Sequence, residues 1–217
     1  MTSTTTPRCM DTYENPMDKW VIESSSGVVK WLHESLGMTP NAVTILSMAL
    51  AILGMVFLWR GGVAGFVGFL IAFALSYWMD DLDGVMARRY KLTSDIGEIL
   101  DHVSDALGFV GVVFVLAVRY KAFARTPLLM AILILSAVIP ITHYTCANKQ
   151  CGNTTGAIGL LTNLCPGNEK GRCIAKFLTP LGALTYQLIF YALVIVIATI
   201  CSSPKTWNRS VAFGVGR

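Results

Sequence analysis

Apolar residues in this chain gather into long blocks separated by short polar punctuation. The blocks run over residues 42–59, 63–79, about 95–118, 128–144 and 177–200. A helix of about 20 apolar residues crosses a bilayer core of about 30 Å, so each block predicts a transmembrane helix. Thr39, Pro40 and Asn41 open the first block, and proline suits a helix start because its missing N–H would be unpaired there. Arg60, Gly61 and Gly62 predict a tight turn into the second. Thr93 and Ser94 break the polar stretch that follows Lys91, and Arg119, Lys121 and Arg125 form the next loop. Pro140 bends or ends the fourth block; His143 beside it reads as a packed or interfacial residue.

Residues 146–173 fit this scheme least well. Residues 156–164 are apolar but too short for a full crossing, which predicts a re-entrant, tilted or interfacial helix. Six crossings fit better than five. The expected fold is therefore all-α: a polytopic membrane helical bundle of about six transmembrane helices. Ahead of it, residues 1–17 read as a loose polar tail. Over residues 18–36, Trp20, Val21, Val28, Trp31 and Leu32 fall broadly on one side, with Lys19, Glu23, Lys30 and Glu34 elsewhere. That is an N-terminal interfacial amphipathic helix with tryptophan anchors, although the Ser-Ser-Ser-Gly run at 24–27 opposes helix formation. The chain divides into 1–40 (tail and interfacial helix), 41–201 (transmembrane catalytic domain) and 202–217 (polar tail).

Composition agrees with a membrane protein: 54 % of the 217 residues are apolar and only 14 % charged. The net charge of +4 is spread over short loops, so nothing resembles a nucleic-acid-binding arm, and anionic lipid headgroups are the expected neighbours. Arg60, Arg119, Lys121 and Arg125 fall on one side of the membrane. The other side, with Arg88, Arg89, Lys91 and the C-terminal Lys205, Arg209 and Arg217, is richer and is expected in the cytoplasm. Six cysteines do not by themselves imply disulfides here, and Cys146 and Cys151 should be reduced if they face the cytosol. The spacing of Cys146, Cys151, Cys165 and Cys173 is loose for structural zinc. The sequons at Asn153 and Asn208 matter only if they face a lumen.

The acids change the picture. Seven of the thirteen Asp and Glu residues lie between Asp80 and Asp105, none lies from Ser35 to Met79, and only Glu169 follows. A solvated loop would account for charge alone, but not for spacing. On helices, Asp80 and Asp83 share a face at i, i+3, and Asp101 and Asp105 do so at i, i+4, with Glu98 on the same stripe. Crowded carboxylates at a membrane boundary need a cation or a proton to coexist. An oxygen-rich pocket of this kind suits Mg²⁺ or Mn²⁺. Gly84, Ala87 and Gly97 keep the adjoining faces free of bulk, and Arg88 offers a fork suited to phosphate.

Written as a pattern, Asp80 to Asp105 is D-x2-D-G-x2-A-R-x8-G-x3-D-x3-D. It resembles the signature of the CDP-alcohol phosphotransferase family of integral membrane enzymes, with each motif position filled. Pro40, Asn41 and Thr44 also resemble a run that many members carry. The resemblance implies a six-helix membrane fold and two divalent ions held by Asp80, Asp83, Asp101 and Asp105. It further implies transfer of a substituted phosphate from a CDP-linked donor to an alcohol, releasing CMP. Asp105 is then the candidate general base, and Gly84, Ala87, Arg88 and Gly97 shape the cytidine-diphosphate pocket; Asp81 is extra to the motif.

Chain length favours a CDP-diacylglycerol donor, although Ala87-Arg88-Arg89, Gly97-Glu98 and Asp101-His102 look like the choline and ethanolamine phosphotransferases. An anionic acceptor would want basic partners, for which Lys149, Lys170, Arg172 and Lys176 are candidates, with lipid-headgroup contact as their alternative role. The expected partners are the CDP-linked lipid donor, the alcohol acceptor and membrane lipids, without nucleic acid; a homodimer is one admissible assembly. Two rival readings are an intramembrane prenyltransferase, whose paired acidic motifs lie far apart in the chain, and a metal-ion transporter, which leaves the Gly and Arg positions unexplained.

Overall fold

A computed structural model describes Cys9, Tyr13 and residues 16–152, 162–163, 165–167, 169–180 and 182–202. Among the described residues the elements are helical: α1 (Pro16–Lys30, continued by a π-helical turn, Trp31–Ser35), α2 (Pro40–Arg60), α3 (Gly62–Tyr90), α4 (Asp95–Arg119), the short α5 (Lys121–Ala124), α6 (Pro127–Gln150), α7 (Glu169–Leu178) and α8 (Gly182–Ser202). Five of them, α2, α3, α4, α6 and α8, are long and apolar enough to cross a membrane. The chain is thus an integral-membrane helical bundle. The short apolar segment at 156–164, the two sequons and the C-terminal tail lie almost wholly outside the described residues.

Helix boundaries follow local chemistry. Thr39 caps α2 through its side chain, which accepts from the Ala42 N–H at 3.3 Å, and Pro40 takes the first position. The α2–α3 turn needs left-handed backbone at Gly61 (φ 68°) and Gly62 (φ 70°). The last predicted block, 177–200, divides in the structure. α7 ends at Leu178, Pro180 has no N–H with which to continue it, and α8 starts at Gly182 with φ 58°. Pro140 does not end α6, which continues to Gln150.

The chain forms two compact units. The larger comprises Val21–Met130 and Tyr191–Arg217, the smaller Met1–Trp20 and Ala131–Phe190. In the larger unit, glycines let α2 and α3 pack closely: a Cβ on Gly54 would strike the Phe73 ring, and one on Gly65 would come within 2.6 Å of the Phe57 carbonyl oxygen. Buried Ser47 and Ser76 each donate a hydroxyl to the other's carbonyl at 2.9 Å. Tyr191 of α8 donates to the Phe73 carbonyl at 2.9 Å and stacks edge-on against Phe69 and Phe73. Val29 and Leu32 pack with Val43, Leu82 and Met86.

That last cluster shows which residues of the N-terminal helix pack inward. The buried stripe is Ser25, Val29 and Leu32, whereas Trp20 and Trp31 are 68 % and 56 % exposed. The serine run is tolerated because the Ser24 and Ser25 hydroxyls bond back to the Val21 carbonyl, and Ser25 also accepts from the Trp78 indole at 3.3 Å.

In the smaller unit Tyr13, Cys146, Ala147, Cys165 and Ala175 form the core. Two disulfides hold it, Cys9–Cys151 and Cys146–Cys165. Sequence spacing had not implied either bond, because pairing depends on which thiols the fold brings together. Cys173 and Cys201 are free, so the four-cysteine zinc alternative has lost three of its ligands to disulfides. His143 is buried, with its ring 6.0 Å from that of Tyr186.

Candidate metal centre

The acids are brought together by how α3 ends and α4 begins. α3 runs unbroken past Met79 and stops at Tyr90, where Lys91 turns left-handed (φ 57°) and the Leu92 N–H closes on the Ala87 carbonyl at 2.9 Å. Arg88 and Arg89 stand in its last turn, where positive charge complements the helix dipole. After the short connection, the Ser94 hydroxyl caps α4 by accepting from the Gly97 N–H at 3.1 Å. The short connection between α3 and α4 lets acids from both helices converge.

Asp80, Asp83 and Asp101 each offer a carboxylate oxygen within 4.8 Å of the other two. Three anionic oxygens so placed fit a divalent ion that takes oxygen ligands. Asp83 is buried, with 7 % exposure, while Asp80 and Asp101 are half-buried. Asp105 lies one turn beyond Asp101, outside the triad and exposed, but its charge bears on both Asp80 and Asp101. His102 sets its Nδ1 3.8 Å from an Asp101 oxygen.

A third helix steadies the triad. Thr44 on α2 donates its hydroxyl to Asp83 Oδ2 at 2.5 Å, with the Pro40 carbonyl a longer 3.2 Å away. The hydroxyl has one proton, and the short contact to a carboxylate claims it. The chain pattern around Pro40, Asn41 and Thr44 marked this region without revealing that its threonine orients an aspartate 39 residues on.

The small residues have different neighbours from those expected of an open face. A Cβ on Gly84 would lie 3.1 Å from Arg88 Nη1, so the Arg88 side chain folds back over Gly84. A Cβ on Gly97 would meet Asn41 Oδ1 and the Ser94 hydroxyl, each at 3.2 Å, which places Asn41 beside the start of α4. Ala87 is half-buried, one turn after Asp83. Lys149, Lys170, Arg172 and Lys176 belong to the smaller unit and the four aspartates to the larger. The Lys149 ammonium is already engaged, donating to the Cys165 carbonyl at 2.5 Å, while Lys170, Arg172 and Lys176 are exposed on α7.

The family model for CDP-alcohol phosphatidyltransferases matches residues 37–215. The chain belongs to that family. The helical bundle, the acidic motif and the family match agree, and they set aside the prenyltransferase and transporter readings. A shorter likeness is to the inner membrane protein YnjF of Escherichia coli (strain K12), 36 % identical over 78 residues, a stretch covering 36 % of each chain. No solved structure matches. The family is described as one of CDP-alcohol phosphatidyltransferases, and the chain spans about a third of the length of the curated relative it matches. The family's use of a divalent metal finds a fitting cluster in Asp80, Asp83 and Asp101.

Proposed function

We propose that this transferase moves a phosphatidyl group from CDP-diacylglycerol to an alcohol acceptor, with release of CMP. The observation that carries the reading is the convergence of the Asp80, Asp83 and Asp101 carboxylates within 4.8 Å. Two Mg²⁺ or Mn²⁺ ions, held by these three and by Asp105, would offset the negative charge of the donor diphosphate. The chain's own residues do the rest. Thr44 holds Asp83 in one orientation. Arg88 supplies a guanidinium to a diphosphate oxygen, and Gly84, Ala87 and Gly97 leave room for the cytidine half of the donor.

Asp105, exposed at the edge of the triad, accepts the proton of the acceptor hydroxyl. The hydroxyl oxygen forms a bond to the phosphatidyl phosphorus while the bond from that phosphorus to the CMP oxygen breaks, and CMP leaves with the electron pair. Residues 41–201 act as the catalytic domain. Exposed Lys170, Arg172 and Lys176 support an anionic acceptor, Lys149 less so because of its bond to Cys165. A homodimer has no observation behind it and forms no part of the proposal.

The decisive experiment incubates purified protein with CDP-diacylglycerol, Mg²⁺ and a panel of acceptor alcohols, and follows CMP together with product mass. Release of CMP without a phosphatidyl product, or product formed only from a soluble CDP-alcohol and diacylglycerol, would replace this reading with the choline/ethanolamine type.

We place the acids on the cytoplasmic side from the Lys and Arg asymmetry of the loops. A second orientation is favoured by one observation. If each spanning helix crosses once, the Cys146 end of α6 returns to the motif side, and the disulfides there are those of an oxidising compartment. Labelling a cysteine placed at Lys91 with an impermeant maleimide in intact cells separates the two: protection supports the cytoplasmic face, and modification the opposite one.

A further inference from the structure

The end of the larger unit remote from the acids has a constitution of its own. A groove of about 290 Å³ lies between α2 and α4, lined by Ile52, Met55, Val56, Trp59, Arg60 and Val115. Val115 is its buried floor, while Ile52, Val56 and Trp59 are 50 %, 46 % and 44 % exposed. Gly111 leaves room for the Met55 thioether, since a Cβ there would run into it. Arg60 stands at one end. From Thr44 to Arg60 is 16 residues of one helix, about 24 Å, so this groove is separate from the metal centre.

The arginine end is a built feature. Arg119 donates its Nε–H to the Trp59 carbonyl at 3.1 Å and lies over the Tyr120 ring at 5.6 Å. Buried Tyr120 in turn donates to the Leu58 carbonyl at 2.8 Å. These bonds satisfy two carbonyls of the last turn of α2 and hold the Arg119 guanidinium at the end of α2 that carries Arg60. An arginine that merely reaches for the membrane surface has no such anchoring. Among the described residues neither arginine has a carboxylate within ion-pair distance. In sequence, no acid occurs from Ser35 to Met79 or between Asp105 and Glu169. Arg60 at the end of the groove, with Arg119 fixed on the neighbouring Trp59 carbonyl, sets positive charge beside an apolar surface and calls for a ligand with an anionic head and an apolar tail.

We propose that the groove between α2 and α4 binds one anionic phospholipid, with an acyl chain along Ile52, Val56 and Val115 and the headgroup phosphate on Arg60 and Arg119. A zwitterionic phospholipid offers the same tail and phosphate but brings a cation that the two arginines repel, so the site discriminates by net charge. The site stands apart from the transfer reaction and does not rest on the proposed donor.

Native mass spectrometry of the purified, delipidated full chain tests it, titrated in chelator with phosphatidylglycerol or phosphatidylcholine of identical acyl chains. One phosphatidylglycerol should be retained at about one-tenth of the concentration that phosphatidylcholine requires, a tenfold preference being the scale of a single charged contact. Arg60→Gln and Val56→Trp should each erase that preference, the first by removing charge and the second by filling the groove from its exposed side. Lys30→Gln, on α1, should leave it intact. Equal retention of the two lipids, preference undiminished in both variants, or equal loss in Lys30→Gln would overturn the site. Each variant is scored only if its helical circular dichroism matches the parent; Val56→Trp, at a half-exposed position, keeps the test available should Arg60→Gln misfold.

Discussion

The two units of this protein are held together by different means. In the larger, long helices pack through small residues and buried side-chain hydrogen bonds: Gly54 under Phe73, Ser47 against Ser76, Tyr191 on the Phe73 carbonyl. In the smaller, the described core is small and two disulfides close it, across sequence separations of 142 and 19 residues. Lipid tails are as apolar as leucine, so helices within a bilayer gain little from burying more apolar surface and rely on close fit and polar contacts. In the smaller unit the described core cluster holds only five buried residues, and covalent closure supplements it. The candidate metal-binding acids sit in the unit whose order comes from packing, where α2 and α3 together fix Asp83.

Substitutions at the metal centre should have the largest effects. Asp80→Asn, Asp83→Asn and Asp101→Asn should each reduce CMP release by several orders of magnitude, and excess chelator should do the same to the parent. Undiminished turnover in chelator would remove the metal from the reaction. Asp105→Asn should lower the rate by about 10²–10⁴-fold, the usual cost of a missing general base, while CDP-lipid still binds with Mg²⁺ present. If donor binding is lost as fully as in Asp83→Asn, Asp105 is chiefly a ligand; near-normal turnover would pass the base role to Glu98.

Thr44→Val tests the positioning contact, with an expected ~10–100-fold rise in the Mg²⁺ concentration needed for half-maximal rate, as is typical when a ligand loses its supporting hydrogen bond. Thr44→Ser keeps the hydroxyl and should restore the parent value. A purely structural threonine would instead lower thermal stability in both variants without moving the metal requirement.

The smaller unit should respond to chemistry that leaves the larger untouched. Replacing Cys146 and Cys165 by serine removes a link worth about 3 kcal/mol in the chain-entropy account. Faster hydrogen exchange should then appear in α7 and not in α2 or α3, and equal loosening of both would dissolve the contrast between the units. The smallest effect is expected at Gly84. An added methyl would lie 3.1 Å from Arg88 Nη1, and a flexible side chain yields a few tenths of an ångström, so Gly84→Ala should weaken donor binding only several-fold. Gly84→Val should weaken it far more, and unchanged affinity there would make the glycine a packing residue.

Sequence alone determined the class of structure and marked the candidate metal-binding acids. Apolar runs near bilayer length can satisfy their backbone only as helices in lipid, so five spans were legible, although α3 runs on to Tyr90 and the 177–200 block divides. The aspartates were legible because carboxylates are costly at a membrane boundary and their spacing matches helical faces. What tertiary structure decided depends on contacts between residues far apart in the chain. Propensity argued against a helix through Ser24–Gly27, yet hydroxyl bonds to Val21 and packing of Val29 and Leu32 sustain it and turn Trp20 and Trp31 outward. The two disulfides, the grip of Thr44 on Asp83 and the anchoring of Arg119 on Trp59 have no local signature. Each joins groups that become neighbours only when helices pack, and helical periodicity carries information about one helix at a time.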